Sequence, residues 1–520
     1  MKQLNFLCPA VLILLATTAQ ANSGDVQLTD FDAKCGVADH NCWAAFQQAF
    51  TALRRNGGGT LHLPEGTTRV QIPGISENMV PNAAKPIPPN TLLGVPPNVT
   101  IVGHKDASGQ PTSVIDWSNN SVPVFIFLRA SNSGMRDVHA RFVGSMPDKF
   151  PYGDENVLRG LGLNPSYPHL NQLSGGNYEL FAFIFVVDSD NCVFDNMILD
   201  AAVTDNAHSF GFGFNLKGKG LILDGGQGGL SAQATGNKIS NVTLYDFVMG
   251  MLISGQDNLT VENIMAGRRA STMAIAPGHV IYTTFQNMFD QNGGATRTVN
   301  RGVKIDRISE GPTVHSNLHA LGTLAIKAID GGTISNIRSE HPMGLIHTLY
   351  AVRNVTFSHL SWENDYDPCD DTQESCGIDV ITAAQTDDEP IHMENLTFSD
   401  VTLKSAHRHV GVTFVGSNLT LDGFSIESPA ELATHGSPCA ICLKNADHVR
   451  VLNYNYHPKV TRAGGSTAYA APLTAFSPSH NVEADVVTTW PREMPRSSAI
   501  SSKVPDHDPE SHNVVRDVVR

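Results

Sequence analysis

Apolar and polar positions alternate in short bursts along this chain, and the bursts start from the same kind of residue. Asn241-Val-Thr-Leu, Asn258-Leu-Thr-Val, Asn354-Val-Thr-Phe, Asn395-Leu-Thr-Phe and Asn418-Leu-Thr-Leu are near copies of one another. Asn98-Val-Thr-Ile belongs with them, and Asn191-Cys-Val-Phe and His448-Val-Arg-Val are looser relatives. A polar turn residue followed by three or four alternating positions predicts a short strand with a corner before it. Asn suits the corner because it tolerates left-handed backbone and hydrogen-bonds to its own turn. One such unit cannot bury its apolar face alone, whereas stacked neighbours make a continuous core. The pattern therefore predicts an all-β chain wound as a right-handed parallel β-helix. Asn241 to Asn258 spans 17 residues, Asn336 to Asn354 spans 18 and Asn395 to Asn418 spans 23, intervals that suit a coil of three short strands. Asn354 to Asn395 spans 41, which predicts an inserted loop near Trp362 to Pro390; another excursion covers Ser145 to Glu179. Loops on one face of a solenoid usually build its cleft.

Residues 28 to 72 follow a different rhythm. Trp43-Ala-Ala-Phe46-Gln-Gln-Ala-Phe50-Thr-Ala-Leu53 places apolar residues at helical spacing, and Gly57-Gly58-Gly59 ends that helix. Thr60-Leu61-His62-Leu63 reads as a strand and Pro64-Glu65-Gly66 as a turn. A helix over the open end of a β-helix would cover strand edges and the apolar cross-section. This stretch, with its Ala-Phe-Gln-Gln-Ala-Phe and Gly-Gly-Gly-Thr-Leu-His-Leu-Pro-Glu-Gly, resembles the N-terminal cap of the pectate-lyase superfamily of β-helix proteins. That group includes polysaccharide lyases, galacturonase-type hydrolases, epimerases and phage tailspike depolymerases. The resemblance covers roughly residues 25 to 75 closely and implies the fold more than the reaction.

The expected organisation is a leader over 1–21, the cap and its outgoing loop over 22–97, the β-helix over 98–490 and a mobile tail over 491–520. Lys2, the apolar run Phe6 to Ala16 and Ala19-Gln20-Ala21 make the leader an export signal, so the protein is expected to be secreted or periplasmic. No stretch approaches the roughly 18 apolar residues of a membrane span. The chain of 520 residues carries 50 Asp and Glu against 35 Lys and Arg, a net charge of −15, which argues against nucleic acid as partner. Cysteine spacing predicts local disulfides at Cys35–Cys42, Cys369–Cys376 and Cys439–Cys442, with Cys192 a buried free thiol.

Against that acidic background, residues 267 to 353 hold nine Lys and Arg and five Asp and Glu. Cations clustered in a wet groove attract polyanions, so an anionic polysaccharide is the expected partner. The sharpest phrase is Gly278-His279-Val-Ile-Tyr282. Alternation puts His279 and Tyr282 on opposite faces of a strand, unless a bend joins them. β-Elimination of a uronic acid polymer needs a cation on the C6 carboxylate, a base for the C5 proton and an acid for the leaving O4. His279 and Tyr282 could supply base and acid in either order, with Arg301, Lys304 or Lys327 as neutraliser and Arg268, Arg338 and His341 lining the groove. Lys304 and Lys327 lie 23 residues apart, about one coil, and stacked they would lower each other's pKa.

Two other readings compete. Hydrolysis by paired carboxylates would use Asp188, Asp190 or Asp205. The galacturonase-type hydrolases carry Asn-Thr-Asp, Asp-Asp, Gly-His-Gly and Arg-Ile-Lys in order; here no Asn-Thr-Asp occurs and Asp370-Asp371 falls out of order. The Trp-Ile-Asp-His and Arg-x-Pro-x-x-Arg phrases of calcium-dependent pectate lyases are absent too. The third reading is a non-catalytic glycan-binding surface protein. No cofactor is expected. Asp365, Asp367, Asp370 and Asp371 could offer oxygen ligands to Ca²⁺, but their spacing is not that of a known calcium loop and an exposed acidic loop is the better reading.

Overall fold

The computed structural model describes residues 24–73, 90–118, 123–144, 182–201, 212–218, 233–247, 249–267, 279–289, 295–311, 322–365, 377–385, 389–429, 438–459, 469–476, 478–490 and 512–520. The leader, the Ser145 to Glu179 excursion, Arg268, Asp205, Cys369–Cys376 and the acidic run beyond Asp365 lie outside these residues.

Apart from one antiparallel hairpin, Gln286–Phe289 with Ala295–Thr298, the strands pair in parallel with strands one coil away, so the chain winds and stacks. Lys238 pairs with Thr260, Thr260 with Lys304, Lys304 with Thr333, Thr333 with Thr356 and Thr356 with Thr397. Inward positions repeat from coil to coil and form one continuous core. Phe357 lies flat on Phe398 with ring centroids 4.3 Å apart, as in-register stacking of like residues requires.

The corners are made by the phrase residues. Asn98, Asn191, Asn241, Asn258, Asn354, Asn395, Asn418 and His448 all have φ between +52° and +58°, the left-handed region in which Asn is the least costly side chain. Their amides run along the stack: Asn395 donates to Asn354 at 3.0 Å, and Asn354 donates to Asp330 at 2.8 Å. Two corners use this device, however. Asn241 belongs with Asn263, which donates to it at 2.6 Å, while Asn258 lies on the other corner beside Gly302. The intervals Asn241–Asn258 and Asn336–Asn354 thus join two corners and are not coil lengths. Asn354–Asn395 and Asn395–Asn418 are true coils.

Helix α1 (Trp43–Arg55) forms where the spacing predicts it and buries Ala45, Phe46, Ala49, Phe50 and Leu53. Phe46 meets Phe125 at 5.3 Å. The stack starts inside the predicted cap: Gly24–Gln27 pairs with Gly59–His62, which pairs with Val99–Val102. Gly59 (φ +139°) is needed there, because a Cβ would lie 2.2 Å from the Gly24 carbonyl oxygen. The far end also departs from expectation. Val514–Val519 is a strand on His480–Thr488, with Arg516 ion-paired to Asp485 at 3.3 Å and Val515 packed on the core.

Cys35–Cys42 and Cys439–Cys442 are disulfides. Cys192 is free and buried, and burial pushes its thiol up to about 12. Among the described residues no helix is long and apolar enough to cross a membrane.

Candidate active site

One sheet runs the length of the molecule. It includes Ala182–Val187, Phe212–Lys217, Met249–Ser254, Ile281–Thr284, the starts of Leu324–Ser339 and Ile346–Glu363, and Gly377–Ala384. The site lies on its outer face, at the strands of Tyr282, Lys327 and Tyr350.

In Ile281–Thr284, Ile281 and Thr283 are buried and Tyr282 faces outward, half-buried. Thr283 stitches this strand to the next: its hydroxyl donates to the Lys327 carbonyl at 2.8 Å and accepts from the Lys327 N–H at 2.9 Å. Ile326 points into the core, so alternation sends Lys327 outward. Its Nζ donates to the Tyr282 hydroxyl at 3.3 Å and lies 5.0 Å from that ring's centroid. Among the described residues, no carboxylate is within ion-pair distance of Lys327.

His279 precedes the strand instead of belonging to it, and that is the bend the alternation required. Its ring lies 5.6 Å from the Tyr282 ring and 6.2 Å from the His347 ring. His279 is 5 % exposed, and its Nδ1 is 2.8 Å from the Gly322 carbonyl oxygen. A carbonyl only accepts, so Nδ1 carries the proton and Nε2 keeps the lone pair. Burial pushes the imidazole down to about 3; the Gly322 hydrogen bond opposes this, and His347 and Lys327 add to it. His347 is half-buried, and burial followed by the Lys327 charge lowers its pKa as well.

One coil along, Lys327 pairs in register with Tyr350. The Tyr350 hydroxyl donates to Glu389, which also holds Arg297 at 3.2 Å. Glu389 thereby ties the root of a small hairpin, Gln286–Phe289 with Ala295–Thr298, to the flank of the site.

The other sequence candidates lie elsewhere. Lys304 stacks between Thr260 and Thr333, not beside Lys327, because the coil from Lys304 to Thr333 is 29 residues long, not 23. Lys304 instead joins Lys238 and Arg307 around Glu262, at 3.6, 2.6 and 3.4 Å. The Lys238 hydrogen bond holds the Glu262 carboxyl below its usual range, with Lys304 and Arg307 adding to it. Arg301 donates to Gln233 at 3.0 Å, at a corner between Asp257 and Asp330. Arg338 pairs with Glu340 at 3.1 Å. His341 is fully buried; it accepts the Met343 N–H at Nδ1 and the Trp362 indole N–H at its carbonyl. Asp188 holds Arg129 at 2.9 Å, and Asp190 accepts the Thr235 N–H at 2.8 Å. The positive lining expected as one trough is thus dispersed, and Lys327 alone of the proposed neutralisers stands with Tyr282 and His279.

No family model matches the sequence, and no curated protein matches it. Several solved structures are similar. PfbA, a surface adhesin of Streptococcus pneumoniae, aligns with a TM-score of 0.47 and 13% identity, over 84% of this chain and 90% of that one. The A-module of the mannuronan C-5 epimerase AlgE6 of Azotobacter vinelandii aligns at 0.40 and 13% identity, over 95% and 99%. An exopolygalacturonase of Thermotoga maritima aligns at 0.35 and 10% identity, over 84% and 89%. The chemistry is therefore read from this chain's own side chains.

His347 and Tyr350 were not singled out by sequence. The one signal lies in Leu345-Ile346-His347-Thr348-Leu349, where two polar residues interrupt an apolar alternation.

Proposed function

We propose that this protein cleaves a uronate-containing polysaccharide by β-elimination at the Tyr282–Lys327 site. The observation that carries the reading is an ammonium with no carboxylate partner among the described residues, 3.3 Å from a phenol and beside a buried, neutral imidazole. Lys327 would take the C6 carboxylate and favour the extra negative charge that develops on it as C5 loses its proton. An imidazole of the His279–His347 pair accepts that proton. The C5–H electrons form the C4–C5 double bond, the C4–O4 pair leaves with oxygen, and the Tyr282 phenol protonates O4.

The same reading takes the stack as a right-handed coil closed at its start by α1, and the protein as exported. The Cys35–Cys42 and Cys439–Cys442 disulfides support an oxidising compartment.

The test is to incubate the protein with polygalacturonate, alginate and hyaluronan and to follow ultraviolet absorbance and reducing ends together. Elimination raises both, because each cut leaves a conjugated unsaturated uronide. New reducing ends without absorbance would point to hydrolysis, and unchanged polymers to a binding protein.

A further inference from the structure

The strand Ile346–Glu363 contains one more residue than both of its neighbours at the same place. Leu324 pairs with Ile346 and Ala325 with Thr348, so two residues on one strand oppose three on the other. On the opposite side Ile346 pairs with Ile381 and Leu349 with Ala383, and the register slips again. Ile346 and Leu349 are both fully buried, and His347 and Thr348 between them both face outward. Such a bulge re-aims a side chain that strict alternation would send to the other face. Here it brings the His347 ring to 6.2 Å from His279, over the strand that carries Lys327.

The site has a second constraint at this point. Gly322 has φ +88°, and a Cβ on it would meet the His347 Cβ at 3.0 Å. The Gly322 carbonyl that fixes His279 is therefore packed against the bulge that presents His347. The two imidazoles are set by one piece of backbone, but they differ in access. His279 is 5 % exposed with one nitrogen occupied, whereas His347 is half-buried.

We infer that His347, aimed by this bulge, is the group that accepts the C5 proton, and that His279 is a positioning residue behind it. This rests on the eliminative reading above. A proton taken from substrate must return to water, and the more exposed ring can return it directly. The groups facing His347 are His279 and Tyr282 from the segment before and within Ile281–Thr284, and Lys327 from Leu324–Ser339. Asp379 stands on Gly377–Ala384, on the other side. Burial first, and then the ammonium of Lys327, holds the His347 imidazole below its usual range, so the ring awaits substrate in its neutral form; the deeper burial of His279 makes that ring the weaker base of the pair.

The experiment compares H347Q, H347G, H279Q and H279G on whichever polymer yields unsaturated ends, with thermal melts to establish folding. H347Q is expected to lower kcat about 10²–10⁴-fold with little change in KM, the range for loss of a general base. Imidazole added to H347G should restore turnover in proportion to its free-base concentration, which a structural role would not produce. Independently of activity, NMR titration should show the His347 midpoint rising in K327M, because removal of the ammonium relieves its repulsion. If H347Q keeps wild-type kcat and pH profile while imidazole rescues H279G, the proton acceptor is His279; the inference falls and the eliminative reading stands. If wild-type protein gives no unsaturated product on any polymer, reading and inference fall together.

Discussion

Two lysines of the same central stretch end in opposite circumstances. Lys304 lies half-exposed beside Glu262, which it shares with Lys238 and Arg307. Lys327 lies around a corner of the coil from there, against Tyr282 and two imidazoles, with no carboxylate at ion-pair distance among the described residues. The three cations form a surface network in which each already has a carboxylate partner, Arg307 having Asp306 as well as Glu262. A cation packed against a phenol and neutral imidazoles has its charge unanswered, so an anion brought to it is bound in a less polarisable setting than water. Similar residues in similar sequence contexts thus yield a solvated rib in one place and a candidate anion site in the other.

The largest effect should separate these two lysines. K327M is expected to cut turnover of the uronate substrate about 10²–10³-fold, the loss seen when one donor to a developing oxyanion is removed. K304M should leave turnover within about twofold, since it touches no part of the site. Initial rates of double-bond formation decide this. Equal losses in both variants would dissolve the comparison and return the charge to a diffuse groove.

G322A should come next. The left-handed φ of +88° and the 3.0 Å approach to His347 leave no room for a methyl group without movement of the bulge. A cost of about 1–3 kcal/mol is expected from the backbone alone. The diagnostic result is a loss of activity that exceeds the loss of folded protein, measured by rates alongside thermal melts. A strained corner remote from the site should show only the second.

How far the sequence disclosed this arrangement depends on the length scale. The corner asparagines were legible because a left-handed φ is costly for most side chains and cheap for Asn, and all eight phrase residues adopt it. Register was not legible, because two different corners use the same phrase. Asn241 and Asn258 look like successive copies and lie on the same coil. The error carried over to Lys304 and Lys327, whose 23-residue spacing matches an ordinary coil while the coil that holds them runs 29 residues, from Lys304 to its partner Thr333. Tyr282 and His279 were found because they share one short phrase. His347 depends on a bulge, and a bulge is set by how neighbouring strands count against each other, which no single stretch of sequence records.

Acid should act on the buried imidazole before the exposed rib. The folded pKa of His279 is held near 3, below its unfolded value near 6.5. The unfolded chain therefore binds the proton first. The contribution to stability is complete above about pH 6.5 and is lost as pH falls toward 3. Melting temperatures from pH 7 to pH 4 should decline less steeply in H279Q than in the wild type. If the two slopes coincide, His279 titrates normally, and the buried setting assigned to it is wrong.

The smallest effect belongs to the rib, and its sign is informative. Glu262 is held below its usual range, so its contribution is present above the unfolded carboxylate pKa and is lost as pH falls through the folded one. That window lies at lower pH than the onset of the His279 loss. Because Lys304 and Arg307 are half-exposed or more, water and salt screen their pull on the carboxylate. K304M should cost about 0–1 kcal/mol at low salt and nothing measurable at high salt, read from denaturant melts. Two cations remain on Glu262 in that variant, so the carboxylate is never left alone. A larger, salt-insensitive loss would mean that Lys304 is bound into the fold more tightly than an exposed rib allows, and the contrast with Lys327 would narrow from the structural side.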